Sequence, residues 1–224
     1  MKRYLPFLII ALVAAATAGS GVMTYRAKVA AIAESEAKAT ASAPGAKGAM
    51  PPRTRGQKMA AVTIEEFADF QCPPCASLST IIQTLEQDYH GKVRVIFRHY
   101  PLPNHQHARP AAYAAEAAAM QGKFWEFHDL LYKTQSVWSK ATEIRPLLTG
   151  YAATLGLDVN KFSADLDKPE TSARINADQE RAAALGVKQT PTLFVNNQVV
   201  PVASFNAEGL RAVIKAALEP RPSP

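Results

Sequence analysis

The chain reads VTIEEFADFQCPPC over residues 62–75, and this stretch decides the fold. Side chains from Val62 to Phe70 alternate between two faces, which is the period-two pattern of a β-strand. The chain has only two cysteines, Cys72 and Cys75, and both follow this strand directly. The sequence therefore predicts a strand that leads straight into a Cys-x-x-Cys motif.

A helix and a second strand follow the motif. Residues 76–89 place Leu and Ile side chains at helical spacing, and Gly91 ends the segment. Residues 93–100 are rich in Val, Ile, Phe and Tyr, which are typical of strands. The order strand, helix, strand predicts parallel pairing through a right-handed crossover.

The predicted secondary structure changes twice in the rest of the folded region. Residues 104–186 have no strand pattern and are rich in helix-forming residues. A short hairpin at 192–200 and a helix over 206–218 then complete the chain. These patterns predict an α/β fold in two parts, residues 59–103 and 187–220, separated by an inserted all-helical domain at 104–186.

The N-terminal region predicts export. Met1-Lys2-Arg3 is a short basic segment, and no further charge occurs until Arg26. Residues 1–25 fit either a cleaved signal peptide or an uncleaved signal anchor, because about 20 apolar residues span a bilayer. Residues 26–58, rich in Ala, Lys, Ser, Pro and Gly, predict a flexible linker, which favours the anchor. Either alternative places the folded part outside the cytoplasm, in the periplasm or at the cell surface.

Charge is concentrated in the same N-terminal region. The chain has 25 Lys and Arg and 19 Asp and Glu, a formal net charge of +6. Residues 1–58 hold nine basic and two acidic residues, a net charge of +7, so residues 59–224 have a net charge of −1. A folded region without a basic excess argues against a nucleic-acid partner.

The motif Cys72-Pro73-Pro74-Cys75 is typical of a redox-active thiol pair. A helix N-terminus favours negative charge, so the pKa of the Cys72 thiol is predicted to fall. Pro73 and Pro74 offer no N–H donors, but they stiffen the turn. A passive disulfide across four residues would stabilise the fold by only about 2 kcal/mol, against about 4.7 for a 100-residue loop. Two thiolates are too few for an all-cysteine zinc site, and the motif has no histidine or methionine to complete a copper(I) site.

Glu66 is the second candidate residue. It shares a strand face with Val62, Ile64 and Phe70, so the alternation predicts that it is buried, six residues before Cys72. Burial raises the pKa of a carboxyl, and such a group can exchange protons with Cys75. The alternative is a glutamate at the strand end that reaches solvent or a lysine. Glu65 and Asp69 lie on the opposite face and are predicted to be surface charges.

A third candidate lies at Thr190-Pro191, directly before the predicted third strand. Proline is tolerated at the first residue of a strand, and X-Pro bonds are where cis peptides occur. A cis Pro191 beside the cysteines would leave the Thr190 backbone free to pair with an extended substrate. The alternative is an ordinary trans proline. We place Thr190, Pro191, Pro73 and Pro74 at the predicted substrate-binding surface.

Four motifs together resemble the DsbA-like thioredoxin-fold oxidoreductases. They are EFADFQCPPC at 66–75, FRHYPL at 97–102, FWEFHD at 124–129 and GVKQTPTLFV at 186–195. The resemblance covers about residues 60–218 and follows the family order. It implies a thioredoxin fold with a helical insertion, Cys72 as nucleophile, Cys75 as resolving thiol and Pro191 as the cis proline. It also implies that Glu66 is the buried glutamate of the family. The Pro-Pro dipeptide departs from the Pro-His of the best-known oxidases.

The resemblance implies a protein thiol-disulfide oxidoreductase that needs no cofactor or metal besides its Cys72–Cys75 disulfide. The expected partners are exported cysteine-containing proteins and a membrane redox partner, either a quinone-linked oxidase or a transmembrane reductant. We expect donation of disulfides through a mixed-disulfide intermediate. The alternatives are a reductase fed by a transmembrane electron carrier and a copper(I)-binding or chaperone module. An isomerase is disfavoured, because nothing in the sequence resembles a separate dimerisation domain. We expect a monomer.

Overall fold

The computed structural model describes residues 46–219. Among these residues, none of the helices has the length and apolar character needed to cross a bilayer. The predicted signal peptide or anchor at residues 1–25, and residues 26–45 of the predicted linker, lie outside the described residues.

The two strands predicted on either side of the first helix form the parallel centre of the sheet. They are β2 (Val62–Ala68) and β3 (Val93–His99), paired with Glu66 opposite Phe97. Strand β1 (Arg53–Gly56) lies antiparallel to β3 at one edge. On the other side β4 (Thr192–Val195) pairs antiparallel with β2, and β5 (Gln198–Val199) pairs with β4. The strand order is β1-β3-β2-β4-β5.

Helices make up the insertion and cover the sheet. Helix α1 (Pro73–Asp88) is the crossover between β2 and β3. Six helices lie between β3 and β4, where every residue is described: α2 (Ala108–Ala119), α3 (Phe124–Lys133), α4 (Gln135–Trp138), α5 (Arg145–Thr154), α6 (Val159–Asp165) and α7 (Pro169–Ala184). Helix α8 (Ala207–Leu218) follows the hairpin, and the Asn206 side chain caps it by accepting from Gly209 N–H. The predicted α/β fold with an all-helical insertion is confirmed.

The core has one cluster on each face of the sheet and a third beneath the helical insertion. Val62 and Ile64 pack against α1 and α8 on one face. Phe67 packs on the opposite face against the end of α7. The largest cluster joins Cys72 and Cys75 to the inserted helices. The cysteine pair therefore lies at the junction between the sheet and the helical insertion.

The flexible-linker prediction is wrong for residues 46–58. Residues 53–56 form β1, and the residues before them are bound to α7. Ala49 N–H donates to Asp178 Oδ1 over 2.8 Å, and Arg174 donates to the carbonyls of Met50 and Pro51 over 3.0 and 2.8 Å. The sequence RTRG has no apolar alternation, so its strand arises only from pairing with β3 and from distant ion pairs.

Asp178 is the buried centre of this attachment. One carboxylate oxygen accepts from Ala49 N–H and from Arg98 Nη1, and the other accepts from His99 N–H. Asp178→Ala would leave the Arg98 guanidinium buried and short of one partner, so we expect it to lower the free energy of unfolding by about 3–5 kcal/mol. The matched control is Asp167→Ala, which removes an exposed pair with Arg145 and should change it by less than about 1 kcal/mol. Urea denaturation of both variants measures the difference, and equal effects would contradict the prediction.

Candidate functional site

The two cysteines occupy the first turn of α1. Cys72 is the N-cap, Pro73 and Pro74 are the first two helical residues, and Cys75 follows one turn along. Proline fits here because the first N–H groups of a helix have no partner within it. Cys75 N–H donates to the Cys72 carbonyl over 3.1 Å, which closes the turn and holds the two side chains on one side.

The two thiols lie in different electrostatic surroundings. The hydrogen bond from the Cys75 thiol, helped by the Cys75 N–H, lowers the pKa of the Cys72 thiol to about 6 even though burial acts in the opposite direction. Burial raises the pKa of the Cys75 thiol far above its ordinary value. The thiolate is the reactive form of cysteine, so the lowered pKa would suit the Cys72 thiol to nucleophilic attack, while the raised pKa keeps the Cys75 thiol protonated.

Glu66 lies beneath the pair, as the strand alternation predicted. The residue is only 2% exposed, and its Oε1 atom has no hydrogen-bond partner among residues 46–219. Burial raises the pKa of its carboxyl to about 8, with the Arg55 guanidinium acting in the opposite direction. The carboxyl is therefore neutral at pH 7 and able to donate a proton.

Asp69 was predicted to be a surface charge, and this prediction is wrong, because its side chain is buried. The carboxylate holds the turn that precedes the motif. Oδ1 accepts from Gln71 N–H over 2.7 Å, and Oδ2 accepts from Leu102 N–H over 3.0 Å. His105 Nδ1 lies 2.6 Å from Oδ2. Asp69 is an acidic residue three residues before Cys72, and this position was a signal in the sequence. Two of its partners, Leu102 and His105, come from a distant loop, so its burial was not predictable locally.

Glu65 was also predicted to be a surface charge, and the structure corrects this too. Its carboxylate accepts from Arg98 Nε over 2.7 Å and from two nitrogens of Arg181, each at 2.7 Å. These partners hold the pKa of the Glu65 carboxyl below its ordinary value even though burial opposes them. The face of β2 that holds Glu65 is covered by α7, which the local alternation could not reveal.

The helical insertion supports the active-site turn through a residue that sequence reasoning missed. The Gln135 side-chain amide donates to the carbonyls of Phe70 and Cys72 over 2.6 and 3.0 Å. A glutamine in a helical region carries no sequence signal for this role. The contact ties α4 to Phe70, two residues before the motif, and to Cys72, its first residue.

Thr190 and Pro191 reach the cysteine pair from the start of β4. The Thr190–Pro191 peptide bond is cis, and Cys72 Sγ lies 3.5 Å from the Thr190 carbonyl oxygen. The structure brings all four predicted substrate-binding residues, Pro73, Pro74, Thr190 and Pro191, to one groove of about 670 Å³. Leu78, Ile81, Val202 and Phe205 give this groove an apolar lining. Such a groove beside a reactive sulfur can hold an extended apolar segment of another chain.

Comparisons with known proteins agree with this geometry. A thioredoxin family model matches residues 49–216. The solved structure of BdbD from Bacillus subtilis is 24% identical, covers 78% of this chain and 98% of its own, and superposes with a TM-score of 0.67. A thioredoxin-like oxidoreductase from Silicibacter pomeroyi is 28% identical, covers 74% of this chain and 91% of its own, and has a TM-score of 0.63. The thioredoxin fold predicted from the motifs is confirmed.

Curated relatives of this chain carry the name of a Na⁺/H⁺ antiporter. The Na⁺/H⁺ antiporter NhaA 3 of Salinispora tropica is 41% identical over 165 residues, which are 73% of this chain and 24% of the antiporter. The chain thus spans about a quarter of that relative, and the antiporter name describes the whole of that protein.

Proposed function

We propose that the chain, which belongs to the thioredoxin family, is a thiol-disulfide oxidoreductase that uses Cys72 and Cys75 to donate disulfides to exported proteins. The proposal rests above all on the unequal environment of the two thiols. A lowered pKa at Cys72 stabilises the reduced protein, which makes the disulfide form a better oxidant. The raised pKa at Cys75 protects the mixed disulfide from premature resolution by Cys75.

The proposed cycle moves two electrons from the substrate thiols to the cysteine pair. A substrate thiolate attacks the Cys72 sulfur, the Cys72–Cys75 bond breaks, and Cys75 leaves with the electron pair and takes up a proton. A mixed disulfide now joins Cys72 to the substrate. The second substrate thiolate attacks the substrate sulfur of the mixed disulfide. Cys72 leaves as a thiolate, and the low pKa of its thiol favours this step. The substrate has gained a disulfide, and its two electrons reside on Cys72 and Cys75.

Glu66 supplies the proton in this scheme. Its neutral carboxyl lies beneath the motif. When it is ionised, its negative charge raises the pKa of the Cys75 thiol. Thr190 and Pro191 hold the substrate backbone beside Cys72, while Pro73 and Pro74 form the opposite wall of the apolar groove. The substrate class is therefore an unfolded or extended cysteine-containing segment with apolar neighbours.

We place this reaction outside the cytoplasm, where disulfides persist. The Lys-Arg start and the uncharged stretch after it support export, with the folded part either anchored or released. A membrane redox partner, a quinone-linked oxidase in this proposal, returns the pair to the disulfide state.

The reduction potential of the Cys72–Cys75 pair tests the direction of electron flow. A thiol pKa near 6 lies between about 7 in thioredoxin and about 3.5 in DsbA, so the potential should lie between about −270 and −120 mV. Equilibration with glutathione buffers measures it. A value above about −220 mV supports donation of disulfides, and a lower value favours the reductase.

A further inference from the structure

The loop that joins β3 to α2 is docked on the turn that leads into the cysteine motif. Leu102 N–H donates to Asp69 Oδ2 over 3.0 Å, and His107 N–H donates to the side-chain oxygen of Gln71 over 2.7 Å. The loop also supplies a side chain, since His105 Nδ1 lies 2.6 Å from the same Asp69 oxygen. The loop therefore meets the turn at three points, and two of them are on one carboxylate oxygen.

Asp69 is bound to both cysteines through its backbone. Cys72 N–H donates to the Asp69 carbonyl over 3.1 Å. Burial raises the pKa of the Cys75 thiol, and the Asp69 N–H acts on that thiol in the opposite direction. The carboxylate holds this arrangement in place, because its Oδ1 accepts from Gln71 N–H over 2.7 Å and its Oδ2 is held by the loop. A shift of Asp69 would therefore displace both cysteines.

The charge of the Asp69 carboxylate opposes the chemistry of Cys72. The Asp69 side chain is buried beside the motif, where a charge is screened much less than in water. The hydrogen bond from the Cys75 thiol lowers the pKa of the Cys72 thiol, and the negative charge of Asp69 acts in the opposite direction. The neighbouring Glu66 carboxyl is neutral at pH 7 and adds no such charge. The turn thus needs a carboxylate for its geometry, while a Cys72 thiolate requires that this charge be offset.

His105 is placed to offset it. An ionised carboxylate only accepts hydrogen bonds, so Nδ1 of His105 carries the hydrogen and donates to Asp69 Oδ2. A donor at this distance stabilises the negative charge and weakens its effect on neighbouring groups. The His105 side chain is 22% exposed, whereas that of Asp69 is fully buried. The hydrogen bond therefore links the buried carboxylate to a side chain that solvent reaches.

We propose that His105 is a positioning residue for the thiol chemistry: its hydrogen bond to Asp69 holds the turn and offsets the carboxylate charge that would otherwise disfavour a thiolate at Cys72. The inference rests on the proposed function, in which Cys72 leaves the mixed disulfide as a thiolate. His105 acts through Asp69 and not on the sulfur itself. No proton or electron passes between His105 and the cysteines.

His105→Ala in the full chain removes the donor at a partly exposed position. The ultraviolet absorbance of the thiolate in the reduced protein should show about twofold less Cys72 thiolate at pH 6 than in wild type. The equilibrium constant for reduction by glutathione at pH 7 should fall about threefold, which lowers the reduction potential by about 14 mV. His105→Asn places an amide donor where Nδ1 lies, so it should recover most of both values.

The matched control is His90→Ala, which removes an exposed histidine just beyond the end of α1 and should leave both values unchanged. Asp69→Asn gives a second test: His105→Ala should have no further effect on the thiolate once residue 69 is uncharged. If Asp69→Asn does not fold, the two His105 variants decide the outcome.

Two results would overturn the inference. One is an equal loss of thiolate in His105→Ala and His105→Asn. The other is a less stable His105→Ala protein with the thiolate titration and reduction potential of wild type, which would show a packing role. Both results leave the proposed function intact, whereas exchange activity that survives in Cys72→Ser would overturn that function whatever the His105 variants show.

Discussion

Cys72→Ser is expected to abolish thiol-disulfide exchange, lowering the rate by at least about 10³-fold. The serine hydroxyl cannot form the disulfide that a substrate thiolate attacks. Cys75 cannot replace it, because burial keeps that thiol protonated and hidden from solvent. The measurement is reduction of a disulfide substrate and oxidation of a dithiol peptide at pH 7. Residual exchange within tenfold of wild type would contradict the assignment of Cys72 as nucleophile.

Cys75→Ser is the informative counterpart. It retains the nucleophile and removes the resolving thiol, so mixed disulfides with exported proteins should accumulate and be visible as reducible adducts. The double variant with Cys72→Ser is the matched control and should show none. The result also separates the alternatives, because absence of any adduct combined with stoichiometric bound copper would favour the copper(I) carrier.

The elements near the motif were predictable because their signals are local. Alternation over residues 62–70 predicted both β2 and the burial of Glu66, and helical spacing after the cysteines predicted α1. The structure begins α1 at Pro73, within the motif itself, because two prolines fit the first helical turn, where no N–H is needed.

Features created by distant contacts were not predictable. Strand β1 exists because of its ladder with β3 and the ion pairs of Arg53 with Glu116 and of Arg55 with Asp129, none of which leaves a periodic pattern. Glu65 was misplaced for the same reason, since Arg181 lies 116 residues away. Alternation tells which face a residue occupies, but it does not tell whether a later helix covers that face.

Glu66→Gln is expected to make stability depend less on pH. In wild type the pKa of the carboxyl is about 8 in the folded protein, against an ordinary value of 4.5 in the unfolded chain. Between these pH values the folded state holds a proton that the unfolded state has released. Stability is therefore full below about pH 4.5 and falls as pH rises towards 8. The difference between the two pKa values corresponds to a loss of at most about 5 kcal/mol of stability at high pH. The Glu66→Gln variant does not lose this stability, because glutamine does not ionise.

The test is urea denaturation of the oxidised proteins from pH 5 to 9, since the disulfide removes titration of the two thiols. Glu66→Gln should gain stability relative to wild type across this range, by several kcal/mol at pH 9. Glu126→Gln is the control, because that side chain is 46% exposed beside Lys123 and should follow wild type within about 0.5 kcal/mol. Parallel curves for wild type and Glu66→Gln would show that the carboxyl is already ionised at pH 5. In that case Glu66 could not donate the proton that Cys75 takes up, and the disulfide would have to open without an internal acid.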